Sequence, residues 1–503
     1  MPDPARATGR SSLMILADGA RAETFESLLK AGDLPQISEH VVERGDYRRA
    51  TSTFTSTTGP AHIPLLTGCY PGTVGVPGYR WFDRDAYRGW GPAAPHALRS
   101  YNGPEVAFLA KDMDQMQPTL FELMPDAIGV FGLMNRGLKK ERNLRSREKP
   151  FIWSHSHWFH DYERADRWAG EAMVEAVARD SRFRFIAFPG IDWNCHYIGE
   201  DCPEAIQSYR GIDAAVGRAA EALMLKDTYD ETMITIVSDH GHRRIHSHFD
   251  LALEIGRSHQ IKSAYHSWPA FRPSFDCVVC VSGNGMAHIY LKGEDGSWGT
   301  TPSRETIRAR HAGLLEWLVA TPAVDIVVTR GETEGDLVVE SRRGAADLRE
   351  NRPDGSIRYA AREGADPFGF AGLPGEMSSR EALEATVETD YPDALAQIAQ
   401  LFRTGRTGDI VVSASPGFDL RERFERPEHV SSHGGLIRDH MLVPFASSVA
   451  LEEGPVRTAD IATTVLDYLG VSAPPGVDGA TRLSHDMSAT RADGAATASP
   501  ASV

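Results

Sequence analysis

The stretch Leu13-Met14-Ile15-Leu16-Ala17-Asp18-Gly19 decides how the chain is read. Five apolar residues in succession read as a strand buried on both faces, and the strand ends by presenting a carboxylate at a turn. Ala127–Leu133, Phe183–Phe188 and Met233–Val237 are runs of the same kind. Helical patterns lie around and between them at Thr24–Lys30, Ala165–Ala178 and Glu204–Leu223, the last with Ile206, Tyr209, Val216 and Leu223 near one face. Strands alternating with helices predict an α/β fold: a mostly parallel central sheet with helices on both faces.

Further along, the pattern loosens. Within residues 241–408, Ala287–Leu291 and Val324–Thr329 read as strands around a helix Glu305–Val319, and Leu337–Arg343 and Ser356–Ala361 as hairpin strands. This reads as pieces of the core interrupted by an inserted subdomain, with the core strands resuming at Asp409–Ser413. Ala459–Leu469 is a final helix. The expected organisation is one catalytic domain over 11–484, with insertions near 76–125 and within 241–408. Residues 485–503 are rich in Ala, Ser and Thr, and a disordered tail is expected there.

The 503 residues suffice for one large core with insertions. A net charge of -16 disfavours a stable nucleic-acid partner, since backbone binding needs Lys and Arg to displace counterions. It leaves an anionic small molecule open, because bound metal reverses the field inside a cleft. No stretch approaches the roughly 20 apolar residues of a membrane span. The polar segment Met1–Ser12 does not read as a secretory signal. Five sparse cysteines suit a reducing compartment, so a cytoplasmic location is expected. Cys277 and Cys280 form a C-x-x-C without a second pair and read as buried strand residues rather than a zinc site.

Five short segments carry chemistry together. Asp18 closes the first strand. Thr58-Gly59-Pro60-Ala61-His62, followed by Leu65-Leu66-Thr67-Gly68, offers a hydroxyl that becomes a nucleophile only beside a base or metal; a helix starting there would add backbone donors for a phosphoryl group. Asp192-x-x-x-His196 follows a strand, and on a helical turn both side chains reach one ion. Ser238-Asp239-His240-Gly241 follows another strand, and Ser432-His433-Gly434-Gly435 precedes the apolar Met441–Phe445. Each alone reads as a cap or loop. Combined, Asp18, Thr58, Asp192, His196, Asp239, His240 and His433 supply three carboxylates, three imidazoles and one hydroxyl, most of them just past strand ends, where open α/β sheets form their cleft. Two ions about 3.5–4 Å apart need such a set, and mixed N/O ligation suits zinc, with manganese as a substitute.

The ordered set resembles the alkaline phosphatase superfamily, especially its type I phosphodiesterase/nucleotide pyrophosphatase branch. That branch carries an early Asp after the first strand, T-x-P-x-H-x-x-L-x-T-G, D-x-x-x-H, S-D-H-G and a late His-Gly. All appear here in order from Asp18 to His433. Arg457–Leu469, with Gly470 and Val477-Asp478-Gly479, also resembles the superfamily's C-terminal helix. The resemblance implies an alkaline-phosphatase-like core with Thr58 as nucleophile. It also implies two divalent cations, one on Asp192, His196 and His433, the other on Asp18, Asp239 and His240. The implied substrate is a small phosphodiester or pyrophosphate-type molecule, cleaved through a phospho-threonine.

The chain departs from the branch at Val74-Gly75-Val76-Pro77-Gly78-Tyr79, where H-G-I-x-G-N is usual. Tyr79 takes the place of the phosphate-contacting Asn, and Arg80 follows; both are candidate substrate-binding residues, or else loop packing. His155, His157, His160, His242, His246 and His248 are expected to support or line the site rather than ligate. Asn135-Arg136 follows a strand and could line the pocket. A sulfatase is disfavoured because no Cys stands in the Thr58 position. A phosphomonoesterase or phosphonate hydrolase would use the same site. A non-catalytic binding protein on this fold would show a lost ligand, and none is lost.

Overall fold

A computed structural model of the chain describes residues 9–89, 97–265, 275–352, 354–421 and 428–484. The expected tail at 485–503 lies outside them.

Eight strands form the central sheet: β1 Ser11–Ala17, β2 Asp46–Thr51, β3 Ile128–Val130, β4 Asn143–Leu144, β5 Phe183–Phe188, β6 Thr232–Val237, β7 Leu442–Ser447 and β8 Val456–Arg457. Their spatial order is β8-β2-β7-β6-β1-β5-β3-β4. Every neighbouring pair is parallel except those β7 makes with β2 and β6. All residues of β1, β5 and β6 are buried, which requires cover on both faces. Helices supply that cover: Tyr162–Ala178 packs on Pro203–Leu225, and Thr458–Tyr468 packs on His62–Thr67.

Register determines where the chemistry lies. Ala17 pairs with Phe188 on β5, and Leu16 with Val237 on β6, so three strands end level. Asp18, Asp192 and Asp239 follow these ends. β2 runs with them and leads toward Thr58. β7 runs against them, so His433, which precedes β7, arrives at the same edge.

A second sheet has nine strands. It runs from Ser263–Tyr265 through Cys277–Ser282, Met286–Leu291, Ile410–Ala414, Val324–Arg330, Asp336–Ser341, Gly344–Asn351 and Ser356–Gly364 to Glu376–Ser378. Alternate residues feed two apolar clusters. Ile326, Val328 and Val411 pack with Leu395 and Ile398 on one face, while Val327, Ile410 and Val412 pack with Leu315 and Leu318 on the other. The helix Ala394–Leu401, packed on this sheet, reaches the segments on either side of Thr58 through side-chain amides: Phe54 N donates to Gln397 Oε1 at 3.1 Å, and Gly72 N to Gln400 Oε1 at 2.9 Å.

Several sequence expectations are corrected. Ala287–Leu291, Val324–Thr329 and Asp409–Ser413 read as pieces of the core but belong to this second sheet, because a buried strand's period does not name its partner. The strand Gly344–Asn351 is too polar to have been recognised. The single helix expected at 305–319 is two, Arg304–Arg310 and Leu314–Ala320, because Gly313 takes a left-handed φ of 76°. Cys277 and Cys280 are both buried in one strand. They stand three residues apart, so they face opposite sides and cannot share an ion. Among the described residues no helix is long and apolar enough to cross a membrane.

Candidate metal centre at the carboxyl edge of the central sheet

The Asp18 turn is built on close approach. Gly19 adopts φ 76°, and a Cβ there would stand 2.7 Å from Asp192 Cα. Asp192 N donates to Asp18 O at 3.0 Å, and Gly19 N to Asp239 Oδ1 at 3.3 Å. Three strand ends are thus laced into one knot. Gly19→Ala is expected to cost about 2 kcal/mol or more, from left-handed strain plus overlap with Asp192. It should also lower bound divalent metal; an unchanged melting temperature with unchanged metal content would refute the tight contact.

Asp192 and His196 lie on the helix Gly190–Ile198, whose first N–H donates to the buried Asp166 carboxylate at 2.9 Å. Burial pushes that carboxyl up to about 7. One helical turn brings His196 Nε2 within 3.4 Å of Asp192 Oδ1. His433 Nε2 lies 3.2 Å from His196 Nε2 and 3.7 Å from Asp192 Oδ1. On the other side, His240 Nε2 is 3.5 Å from Asp239 Oδ2 and 3.7 Å from Asp18 Oδ1. The Thr58 hydroxyl lies on this side, 2.9 Å from His240 Nε2 and 3.4 Å from Asp18 Oδ1. The seven sequence-selected residues are linked by these contacts into one cluster, although His196 falls outside both groups of donors close enough to share an ion. The helix beyond Thr58 begins only at His62, so Thr58 stands in the preceding turn and not in a helix N-terminus.

Tyr79 and Arg80 are differently placed. The Tyr79 ring borders the Thr58–Gly59 turn, with Cδ2 3.8 Å from where a Gly59 Cβ would be. Arg80 is buried, its main chain bonded on both sides to Ser282 Oγ at 3.1 Å, and its guanidinium lies 6.0 Å from the Tyr79 ring centroid. Arg136 pairs with Glu122 at 3.0 Å and reads as structural. His246 is exposed, and His248 bonds Asp419 at 2.8 Å. His155 meets Arg164 at 3.2 Å, and the His160 ring lies 5.1 Å from Tyr197.

Three further imidazoles stand beside these residues, of which His242 was expected to support or line the site. His242 is buried with Nε2 2.8 Å from Asp192 Oδ1. His62 Nε2 lies 3.2 Å from Asp239 Oδ2, and the His429 ring is 4.1 Å from that of His196. Only His62 stood inside a recognised motif.

The donor set fits divalent cations. Asp192, His240, His242 and His433 form one group of atoms close enough to share an ion, and Asp18, Asp239 and His240 form another. Asp239 Oδ2 is buried without a hydrogen-bond partner among the described residues, a position a cation would satisfy. Burial, then the charges of Asp239 and Asp192, raise the Asp18 carboxyl well above its ordinary range, as expected where carboxylates crowd without a counter-charge. Burial would raise Asp192 too, but His196 and His242 hold it well below. Burial, reinforced by His240 and His196, keeps His433 neutral and so able to ligate.

Residues 12–311 match the model of the type I phosphodiesterase / nucleotide pyrophosphatase family. His433 lies beyond the matched span. A search of curated proteins finds no match. Among solved structures, phosphonoacetate hydrolase from Sinorhizobium meliloti 1021 in complex with phosphonoacetate is similar at TM-score 0.54 and 17% identity, covering 92% of this chain and 96% of that one. Murine ectonucleotide pyrophosphatase / phosphodiesterase 5 is similar at TM-score 0.55 and 12% identity, over 93% and 96%. An inactive variant of that protein in complex with AMP gives TM-score 0.54 at 12% identity, over the same shares. At these identities the likeness shows the fold.

Proposed function

The chain belongs to the type I phosphodiesterase / nucleotide pyrophosphatase family of hydrolases, and from that premise we propose that it cleaves phosphodiester or pyrophosphate-type bonds through a phospho-threonine at Thr58. The observation that supports this most is the contact of the Thr58 hydroxyl with Asp18 and His240, at the edge of a buried cluster of carboxylates and imidazoles able to hold cations. Asp192, His196 and His433 would hold one divalent cation, and Asp18, Asp239 and His240 the other, with residues 11–484 forming one catalytic unit. Zinc in these positions supplies Lewis-acid charge that lowers the hydroxyl pKa and offsets charge growing on the phosphoryl oxygens.

The residues do the rest. Asp18 and His240 aim the Thr58 hydroxyl while it still carries its proton, and because the residue is partly exposed that proton leaves to water as the oxygen attacks. The Thr58 oxygen attacks phosphorus in line. The bond from phosphorus to the leaving alcohol or phosphate breaks, and that group departs with its electron pair. Water then attacks the phospho-threonine, and Thr58 is released.

The inferred substrate is a small diester, with the Tyr79 hydroxyl as a neutral donor to phosphate beside Gly59. A monoester dianion would gain more from the charge of Arg80. The test is a panel on metal-reconstituted protein: matched nitrophenyl mono- and diesters, a dinucleotide, a nucleotide sugar and a phosphonate. The diester should give the higher kcat/KM, and Tyr79→Phe should reduce it by about 1–2 kcal/mol, the scale of one hydrogen bond. Arg80→Ala should affect only the monoester. A wild-type preference for the monoester of roughly a hundredfold, which is nearly 3 kcal/mol, overturns the diester assignment. Selective turnover of the phosphonate would favour the reading suggested by likeness to phosphonoacetate hydrolase.

A further inference from the structure

Three imidazoles at the centre share one arrangement. His196 Nδ1 faces Ser431 O at 3.0 Å, His240 Nδ1 faces Gly241 O at 3.2 Å, and His433 Nδ1 faces Ser56 O at 3.1 Å. A carbonyl can only accept. Each Nδ1 therefore carries the proton, and each Nε2 keeps its lone pair for the centre.

His242 breaks the pattern. It is as buried as the others, but its Nδ1 meets a hydroxyl, Ser431 Oγ, at 3.2 Å. A hydroxyl can donate. Its Nε2 lies 2.8 Å from Asp192 Oδ1, and an ionised carboxylate only accepts. The proton of His242 therefore belongs on Nε2, the opposite tautomer. Ser431 meets both rings: its carbonyl, which only accepts, faces His196, and its hydroxyl, which is able to donate, faces His242.

We infer that His242 is a positioning residue for the Asp192 cation site: it is not a further imidazole ligand, but donates Nε2–H to Asp192 and so holds that carboxylate aimed at the site. The inference rests on the reading that Asp192, His196 and His433 hold a divalent cation. The Asp239 side has a weaker counterpart in His62, which approaches Oδ2 at 3.2 Å without a hydrogen bond.

The test measures cation affinity rather than turnover. Zn2+ is titrated against a chromogenic chelator in wild type, His242→Met and His242→Gln, and the visible band of the Co2+-loaded proteins is recorded. Met fills similar space without a donor; the Gln amide carries an N–H near the Nε2 position. His242→Met should weaken one of two sites by roughly 10–100-fold and leave the other unchanged, as loss of an oriented ligand does. His242→Gln should restore affinity to within a few-fold, with the Co2+ band unmoved. Ser431→Ala, which keeps the carbonyl and removes the hydroxyl, should weaken the same site by a smaller factor even if His242→Met does not fold. Equal loss in Met and Gln variants with a shifted Co2+ band would make His242 a ligand and overturn the inference. Unchanged affinity in all three variants would overturn it as well. Wild type that binds no Zn2+ would instead bring down the metal reading itself, and this inference with it.

Discussion

Thr58→Ala is expected to lower kcat by about 10⁴-fold or more, the scale on which loss of an activated nucleophile is felt. Its hydroxyl lies against the carboxylate–imidazole cluster, 2.9 Å from His240 and 3.4 Å from Asp18. Truncation removes that oxygen and little else. All six carboxylates and imidazoles stay, and Thr58 is a turn residue whose Cβ an alanine retains. Metal content by elemental analysis should therefore change little, and substrate should still bind. The paired measurement matters, because a fall in kcat with a parallel loss of metal would mean that the site had collapsed. Near-normal turnover, or a trapped phosphoryl group on Ser56 or Thr57, would remove Thr58 from the role. Both neighbours are buried, and Ser56 Oγ already donates to Gly435 O at 2.8 Å.

Stripping divalent cations should have the second large effect, on stability as well as turnover. Asp18, Asp192 and Asp239 are buried within one cluster, and mutual repulsion raises Asp18 once burial has already done so. Cations that bind only the folded chain stabilise it by mass action, by about 4 kcal/mol at a thousandfold excess over Kd. Chelation should therefore abolish turnover and lower the melting temperature together. Zinc should restore both, and manganese should restore them in part, since N/O sites discriminate weakly by affinity alone. Full turnover in protein shown by elemental analysis to be metal-free would exclude the mechanism. A melting temperature indifferent to chelation would show that the three carboxylates are relieved in some other way.

How far these residues could be recognised in advance depended on how local their geometry is. Asp192 and His196 were legible because a helical turn alone brings them to 3.4 Å. Asp18 and Asp239 were legible because one directly follows, and the other stands one residue beyond, a largely apolar run that reads as an interior strand. Tyr79 could be placed only as a motif position, and its ring's approach to Gly59 depends on the path of the loop. His242 was read only as supporting or lining the site, because proximity to a recognised motif does not say which way a side chain points. Its contact with Asp192 spans fifty residues of chain.

Two things were therefore legible in the sequence alone: four interior strands of the central sheet, from their largely apolar runs, and a candidate set of seven residues, from their order and positions beside strand ends. Both follow from short-range physics, since burial on two faces leaves no room for polar alternation and a strand's end is where its polar residues reach solvent or a ligand. Tertiary structure decided the rest. Pairing assigned Met286–Leu291, Val324–Arg330 and Ile410–Ala414 to a separate sheet, because hydrogen-bond partners are not written into a strand's own period. The reversed direction of β7 brought His433 to the carboxyl edge ahead of its strand. Folding of Ser431 against two imidazoles gave His196 and His242 opposite hydrogen-bond roles, because a tautomer depends on the neighbour each ring nitrogen meets in space.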